Sequence, residues 1–260
     1  MPSLHMPPPP WIVGHRGAAG EACENTLSAF RRGREAGADM LELDVQLAAD
    51  GVPVCFHDRS LKRLASRPEI VEQQASSALA DVRLGQADDR LPTLGAALAD
   101  LPVTMPLNIE LKRYQASRSA LAHAALDALD GRSQVLISSF DWTLLESVRD
   151  LAPDLPIAPL SAPREIRARV VDPTGDLIAA GEALCAFSLH CSRSMVERSL
   201  VELARTRGFE YLLSYTVNDP DEAERFFGLG VAGIFTDVPS RIAARLRGST
   251  DPPGGRGQAR

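Results

Sequence analysis

Short apolar runs alternate with amphipathic segments along most of the chain. The runs that have the length and composition of β-strands are WIVG, MLELDV, VPVCF, PLNIEL, QVLISSF, LPIAPL, LCAFSL, YLLSYTV and AGIFTD. Between most of them, apolar residues recur with helical spacing. After Asn25–Thr26, which can cap a helix, Leu27 and Phe30 share one face and Gly37 ends the segment. A strand and its following helix take about 25–35 residues, which is the size of a βα unit.

About eight such units in one chain predict an α/β fold of the (β/α)8 TIM-barrel type. A doubly wound open sheet is the alternative arrangement of alternating strands and helices. That sheet would carry a G-x-G-x-x-G turn after the first strand, and Gly14, Gly17 and Gly20 do not have this spacing. The pattern therefore favours the barrel.

The same pattern divides the chain into segments. The barrel domain is predicted over 11–246, and a Pro-rich tail over 1–10 precedes it. Residues 58–91 follow the third predicted strand and do not fit a simple βα connection, so we interpret them as a small insertion on one face of the barrel. Residues 247–260 are rich in Gly, Pro and polar side chains and are expected to be disordered.

Composition and charge narrow the range of functions. Apolar residues are 45% and charged residues 24% of the 260 residues, which is ordinary for a globular protein with a sizeable core. The net charge of −6 argues against sequence-independent binding of nucleic acid and against electrostatic docking on an anionic membrane. No stretch approaches the roughly 18 apolar residues of a membrane span, and the opening residues lack the pattern of a signal peptide. We therefore expect a cytoplasmic protein.

Reactive residues stand on the first two predicted strands. His15 and Arg16 directly follow WIVG, and MLELDV contains Glu42 and Asp44. Because side chains alternate along a strand, Leu43 and its apolar neighbours face the helices while the two carboxylates face the barrel axis. Two inward carboxylates repel each other unless something neutralises them. Oxygen ligands favour Mg²⁺ or Ca²⁺ over zinc, so a hard divalent cation is the simplest solution.

The next two predicted strands add to this set. VPVCFHD ends in His57 and Asp58, and in PLNIELK the alternation turns Glu110 and Lys112 inward. Active sites of TIM barrels lie at the carboxyl ends of the strands, so these residues are expected to meet. A hard cation with an arginine and a lysine holds anionic oxygens such as those of phosphate. Two histidines can deprotonate an attacking hydroxyl and protonate a leaving alkoxide, so the set indicates phosphodiester cleavage.

The remaining histidines do not belong to this pattern. His5 lies in the Pro-rich segment, and His123 lies on a predicted helix. His190 lies near a strand end and has no partner residue in the sequence, so a structural role is favoured for it.

At these residues the chain resembles the glycerophosphodiester phosphodiesterase family. The resemblance extends from about residue 12 to residue 243. It rests on GHRG at 14–17, ENT at 24–26, ELDVQLAADGVPVCFHD at 42–58, LPTL at 91–94, NIELK at 108–112, SSF at 138–140, TVN at 216–218 and GIFTDVP at 233–239. The His-Arg pair, followed by E-x-D and then by H-D, is the most specific part of it.

The resemblance implies a TIM barrel with a small insertion after the H-D strand, and hydrolysis of glycerophosphodiesters to glycerol 3-phosphate and an alcohol with a divalent cation. In this family, a neighbouring hydroxyl of the glycerol is a proposed internal nucleophile that gives a cyclic phosphate. The resemblance implies that His15 and His57 form the acid–base pair. It implies that the metal is held by Glu42, Asp44 and Glu110. It also implies that the substrate is bound by Arg16, Lys112 and Tyr215.

The chain departs from the family pattern at the rim. Cys23 stands where the family usually has proline, and Tyr215 where it often has tryptophan. A tyrosine retains the aromatic wall but adds a hydroxyl that needs a partner. After His57–Asp58, RSLKRLASRPE keeps the leucine and arginine of the family's run and loses its threonines.

Three other functions fit parts of the pattern. A lysophospholipid or phosphoinositide-type phosphodiesterase or cyclase would need an apolar rim, and only 5% of the residues are aromatic. A non-catalytic phosphodiester-binding barrel would be expected to lack a histidine or a carboxylate of the set. An enolising enzyme with bound Mg²⁺ would not explain His15 and His57. The favoured partner is a small water-soluble glycerophosphodiester, and the sequence does not indicate an oligomeric state.

Overall fold

The computed structural model describes residues 4–85, 88–161 and 177–248. Eight parallel strands form a closed ring, because the first strand pairs with both the second and the last. In ring order they are β1 (Trp11–Gly14), β2 (Met40–Leu47), β6 (Leu107–Leu111), β7 (Val135–Ser139), β8 (Ile157–Ser161), β9 (Leu189–Ser192), β10 (Leu212–Tyr215) and β11 (Gly233–Thr236). The predicted TIM barrel is confirmed.

Helices cover the outside of the ring. They are α1 (Leu27–Glu35), α4 (Leu94–Asp100), α5 (Arg118–Ala128), α6 (Trp142–Leu151), α7 (Leu177–Ala183), α8 (Arg198–Thr206), α9 (Pro220–Leu229) and α10 (Pro239–Arg247). Thr26 caps α1, since its Oγ1 accepts a hydrogen bond from the N–H of Ala29 at 3.3 Å. Within the described residues, no helix is both long enough and apolar enough to cross a membrane.

The VPVCF run is a strand, but it is not the third strand of the barrel. Strand β3 (Pro53–Cys55) lies antiparallel to β2, outside the ring, and places Cys55 opposite Val45. A tight turn with Gly51 at φ +80° connects the two strands. The third ring strand is β6. The alternation of apolar residues in VPVCF is the same for a parallel strand and for a hairpin, so the pattern could not distinguish them.

The LCAFSL run was predicted to be a strand, but most of it is not. Strand β9 begins only at Leu189, the last residue of that run. The chain reverses at Cys185, where φ is +46°, and Leu184 packs in the core at the end of α7. Apolar residues that finish a helix and those that begin a strand form one continuous run in the sequence.

The predicted insertion forms a small layer with its own core. Between 58 and 91, the described residues contain α2 (Lys62–Ala65), a 3-10 turn (Val71–Gln73), α3 (Ser76–Ala80) and the two-stranded hairpin β4 (Arg83–Leu84) and β5 (Asp89–Arg90). Residues 86–87 of the predicted insertion lie outside the description. The buried side chains of this cluster are Ala48, Val54, Phe56, Leu61, Val71, Leu79, Val82, Leu84 and Leu91.

The amino-terminal segment lies against the ring. Leu4 is buried with Trp11 and Met40, and the indole Nε1–H of Trp11 donates to the carbonyl of Pro7 at 2.6 Å. The described part of the predicted Pro-rich tail thus packs at the amino-terminal end of the barrel, opposite the strand ends that carry the reactive residues. Of the segment predicted to be disordered, 249–260 lies outside the described residues.

A close backbone contact holds the first loop against α1. A Cβ atom added at Gly33 would lie 2.3 Å from the carbonyl oxygen of Gly17, which itself adopts φ +87°. We expect Gly33→Ala to lower the free energy of unfolding by about 1–3 kcal/mol, since the backbone must shift to admit the methyl group. Urea denaturation measures this loss. The matched control is Gly228→Ala in α9, where the added Cβ meets no atom within 4 Å. A Gly33→Ala protein as stable as the control would contradict the contact.

Candidate active site

A cavity of about 160 Å³ opens at the carboxyl ends of the ring strands. Its lining combines histidine, carboxylate and cationic side chains on one side with an aromatic wall on the other. The lining residues are His15, Arg16, Glu42, His57, Glu110, Lys112, Phe140, Leu160, Tyr215, Thr216 and Phe235. The structure therefore brings together seven of the eight residues that the sequence singled out, and the eighth, Asp44, contacts Arg16 and Lys112 just behind this lining.

Three inward carboxylates form the acidic centre of the cavity. One oxygen from each of Glu42, Asp44 and Glu110 can be chosen so that all three lie within 4.8 Å of one another. Glu42 and Asp44 are 1% exposed and Glu110 is 7% exposed. Among the described residues, buried Oε1 of Glu42 has no hydrogen-bond partner, and Oδ1 of Asp44 faces only the Lys112 ammonium, at 3.4 Å. Unsatisfied carboxylate oxygens that converge in a buried site fit a hard divalent cation.

The electrostatics of the carboxylates support this fit. Burial, together with the charges of Asp44 and Glu110, raises the pKa of Glu42 well above its usual range. Burial acts in the same direction on Asp44, but Lys112 and Arg16 outweigh it and lower the pKa of that carboxyl. A cation bound here would compensate the charge that now disfavours ionised Glu42.

Two fixed positive charges flank the carboxylates. The guanidinium of Arg16 donates to Glu24 Oε1 at 2.7 Å, and its Nε lies 3.2 Å from Asp44 Oδ2. Lys112 Nζ donates to Glu110 Oε1 at 2.6 Å. Burial alone would lower the pKa of Lys112, but the neighbouring Glu110 and Asp44 raise it, so the ammonium stays charged. Both cations face the space in which an anionic group would bind.

His15 is held by a carboxylate that directly follows the last strand. Its Nδ1–H donates to Asp237 Oδ1 at 2.6 Å, and the other oxygen of Asp237 accepts from Asn218 Nδ2 at 2.6 Å. This bond assigns the proton to Nδ1 and leaves Nε2, which is 4.0 Å from Glu42 Oε2, directed to the carboxylates. Sequence reasoning assigned no role to Asp237 or Asn218.

His57 is held in the same way by the carboxylate of its neighbour, Asp58. Its Nδ1–H donates to Asp58 Oδ1 at 2.7 Å, which leaves Nε2 for a substrate. Burial lowers the pKa of His57, so the neutral imidazole is favoured. The residue does not stand at the end of a parallel strand as the sequence predicted. The chain returns antiparallel to β2, with the N–H of Phe56 donating to the carbonyl of Asp44 at 3.0 Å, and this brings His57 over the rim.

Aromatic side chains close the other side of the cavity. Tyr215 packs edge-on against Phe140 and Phe235, with ring centroids 5.9 and 6.3 Å apart. Its hydroxyl donates to the carbonyl of Ser161 at 2.6 Å, which supplies the partner that a tyrosine at this position was expected to need. Lys112 Nζ lies 5.6 Å from the centre of the Phe140 ring. The rings therefore present apolar surface to the cavity, while the Tyr215 hydroxyl has its hydrogen-bond partner in Ser161.

The other histidines lie outside the cavity lining. His190 is fully buried, contacts Ser188 Oγ through Nε2 at 3.0 Å and packs against the Phe235 ring. Burial lowers the pKa of His190 to about 3, so it is neutral. His123 is exposed on α5, and the backbone N–H of His5 contacts Gln134 at the other end of the barrel.

Comparison with known proteins agrees with this arrangement. Residues 15–241 match the sequence model of the glycerophosphoryl diester phosphodiesterase family. The chain belongs to this family. It is 30% identical to the glycerophosphodiester phosphodiesterase of Caldanaerobacter subterraneus subsp. tengcongensis over 247 aligned residues. The alignment covers 91% of this chain and 97% of that protein. The resemblance predicted from the motifs is confirmed, and the protein is a phosphodiesterase.

Solved structures of phosphodiesterases share the fold over most of the chain. A phosphodiesterase of Oleispira antarctica, solved in complex with the product sn-glycerol-3-phosphate, superposes with a TM-score of 0.83 at 26% identity, covering 92% of this chain and 97% of that chain. The glycerophosphodiester phosphodiesterase of Thermotoga maritima gives a TM-score of 0.74 at 26% identity, covering 89% and 96% of the two chains.

Proposed function

We propose that this phosphodiesterase hydrolyses glycerophosphodiesters to glycerol 3-phosphate and an alcohol, with a divalent cation at Glu42, Asp44 and Glu110. The observation that carries the proposal is the arrangement of two oriented histidines around a buried carboxylate cluster and two cations in one cavity. The similarity to glycerophosphodiester phosphodiesterases of other organisms supports the substrate class. A bound Mg²⁺ or Ca²⁺ would supply positive charge for the phosphoryl oxygens.

The chain's own residues account for the rest of the reaction. Arg16 and Lys112 hold the non-bridging phosphoryl oxygens and stabilise the charge that develops on them. One of the two imidazoles takes a proton through Nε2 from the attacking hydroxyl, and a new P–O bond forms. The other gives a proton through Nε2 to the alcohol oxygen as its bond to phosphorus breaks. His15 and His57 thus exchange protonation states during one turnover.

The size of the cavity supports a small substrate. Its 160 Å³ is below the roughly 300–1,000 Å³ of pockets for drug-sized ligands, which suits the glycerophosphoryl half of a diester. The wall formed by Tyr215 and Phe140 packs against the glycerol carbons. Among the described residues, the large apolar side chains that are exposed are Val103, Tyr114, Leu151 and Leu203, which lie on separate elements and form no lipid-binding patch.

Identification of the products tests the proposal. The protein with added divalent cation is incubated with glycerophosphocholine, glycerophosphoethanolamine and lysophosphatidylcholine, and the products are followed by ³¹P NMR. We expect glycerol 3-phosphate from the two soluble diesters. Release of phosphocholine in place of glycerol 3-phosphate would contradict the orientation of the substrate, and cleavage of the lysophospholipid alone would contradict the substrate class.

A further inference from the structure

One side chain of the insertion contacts both sides of the site. Arg63, on α2, donates from Nη1 and Nη2 to the two oxygens of Glu24, each at 2.7 Å. Its Nε donates to Asp58 Oδ2, also at 2.7 Å. One guanidinium therefore connects the loop after β1 with the segment that follows β3.

Each carboxylate that Arg63 binds also holds a residue of the site. Glu24 accepts from Arg16, and Asp58 accepts from Nδ1 of His57, both at 2.7 Å. Burial would raise the pKa of each carboxyl, but Arg63 and its neighbours outweigh burial and lower it. Both acceptors are thus ionised, and each is shared between Arg63 and one side chain that faces the substrate.

A second contact fixes the insertion on the other side of His57. The carboxylate of Glu72 accepts from the backbone N–H groups of Tyr114 and Gln115, in the loop after β6. The Tyr114 hydroxyl donates to the carbonyl of His57 at 2.7 Å. The insertion is therefore anchored to the loops that follow β1 and β6, and the backbone and the ring of His57 are both held within this framework.

We propose that Arg63 is a positioning residue that orients His57 through Asp58 and Arg16 through Glu24, so that the insertion aligns the acid–base group with the phosphate-binding group. The expected effect on kcat rests on the proposed function. The expected effect on the orientation of His57 rests on the hydrogen bonds alone. An isolated exposed ion pair contributes little, but three short hydrogen bonds from one planar guanidinium to two carboxylates fix a geometry that a lysine cannot reproduce.

Kinetics of Arg63→Ala and Arg63→Lys test the proposal on the full-length protein. We expect Arg63→Ala to lower kcat for glycerophosphocholine by about 10–100-fold, the range seen when groups that orient active-site residues are removed, with a much smaller change in KM. Arg63→Lys should recover part of this loss. The matched control is Arg67→Ala, which removes an arginine of the same insertion that pairs with Glu69 at its surface. We expect the control to keep the wild-type kcat.

A spectroscopic measurement reads out the same contact without turnover. Long-range ¹H–¹⁵N correlation spectra report which imidazole nitrogen carries the proton, and the His57 signal is assigned by its loss in His57→Gln. We expect the Nδ1–H form in the wild type and a shift toward a mixture of tautomers in Arg63→Ala, with no shift in Arg67→Ala.

The two measurements separate the possible failures. An Arg63→Ala protein with wild-type kcat and an unchanged His57 signal would overturn the positioning role, as would equal losses in Arg63→Ala and Arg67→Ala. If the wild type cleaves no glycerophosphodiester, the proposed function fails. The tautomer shift then still decides the positioning of His57.

Discussion

His57→Ala is expected to lower kcat for glycerophosphodiester hydrolysis by about 10²–10⁴-fold, the usual contribution of a positioned acid–base group. His57 and His15 each have Nδ1 committed to a carboxylate, Asp58 or Asp237, and each presents Nε2 to the cavity. Loss of either imidazole removes one of the two proton transfers, so His15→Ala should have an effect of similar size. Steady-state kinetics with saturating cation measure both.

A variant that lacks both histidines tests whether they act in the same reaction. Because both histidines act in one reaction, His15→Ala combined with His57→Ala should cost less than the product of the two single losses. The matched control is His123→Ala on the outer face of α5, which should leave kcat unchanged. Either single variant with near wild-type turnover would show that the acid–base assignment is wrong.

Glu42→Gln is expected to weaken binding of the divalent cation by more than about 100-fold, since loss of a direct ligand should exceed the 10–100-fold cost of its supporting contacts. The amide removes a negative charge from a cluster that is 1–7% exposed, where charge is poorly screened. Titration calorimetry on metal-stripped protein measures the affinity. The control Glu202→Gln, a carboxylate 60% exposed on α8, should bind the cation like the wild type.

We also expect the affinity for the cation to depend on pH. Without a cation the pKa of Glu42 is raised, so near and below that pKa the carboxyl holds a proton that the cation must displace. Cation affinity should therefore rise with pH, by up to about tenfold per unit while one proton is released, and level off above the pKa of Glu42. In Glu42→Gln this slope should disappear. A variant that keeps both the affinity and the slope would exclude Glu42 as the ligand that titrates.

The sequence predicted the parts of the site that depend on periodicity. Alternation along MLELDV placed Glu42 and Asp44 inside the ring and Leu43 outside, and the structure buries Leu43 in the cluster beneath the helices. The same rule was insufficient for VPVCF, because alternation does not distinguish a ring strand from a hairpin. His57 was assigned to the correct end of the barrel although the route by which the chain reaches it was wrong.

The contacts that orient the site residues could not be predicted from sequence patterns. His15 and Asp237 are 222 residues apart, and only closure of the ring between β1 and β11 brings them together. Arg63 lies five residues after Asp58, but its other partner, Glu24, is 39 residues away in the loop after β1. Such pairs are set by the three-dimensional paths of loops, on which a single sequence carries no periodic signal.

We propose that one cavity joins a cation site to acid–base chemistry on a glycerophosphodiester. Release of glycerol 3-phosphate from glycerophosphocholine by the metal-stripped protein, before and after addition of Mg²⁺, Ca²⁺ or Mn²⁺, tests it most directly. We expect no release from the stripped protein and restored release with at least one of these ions. Full activity of the stripped protein, or no activity of the folded protein with any of them, would contradict the account.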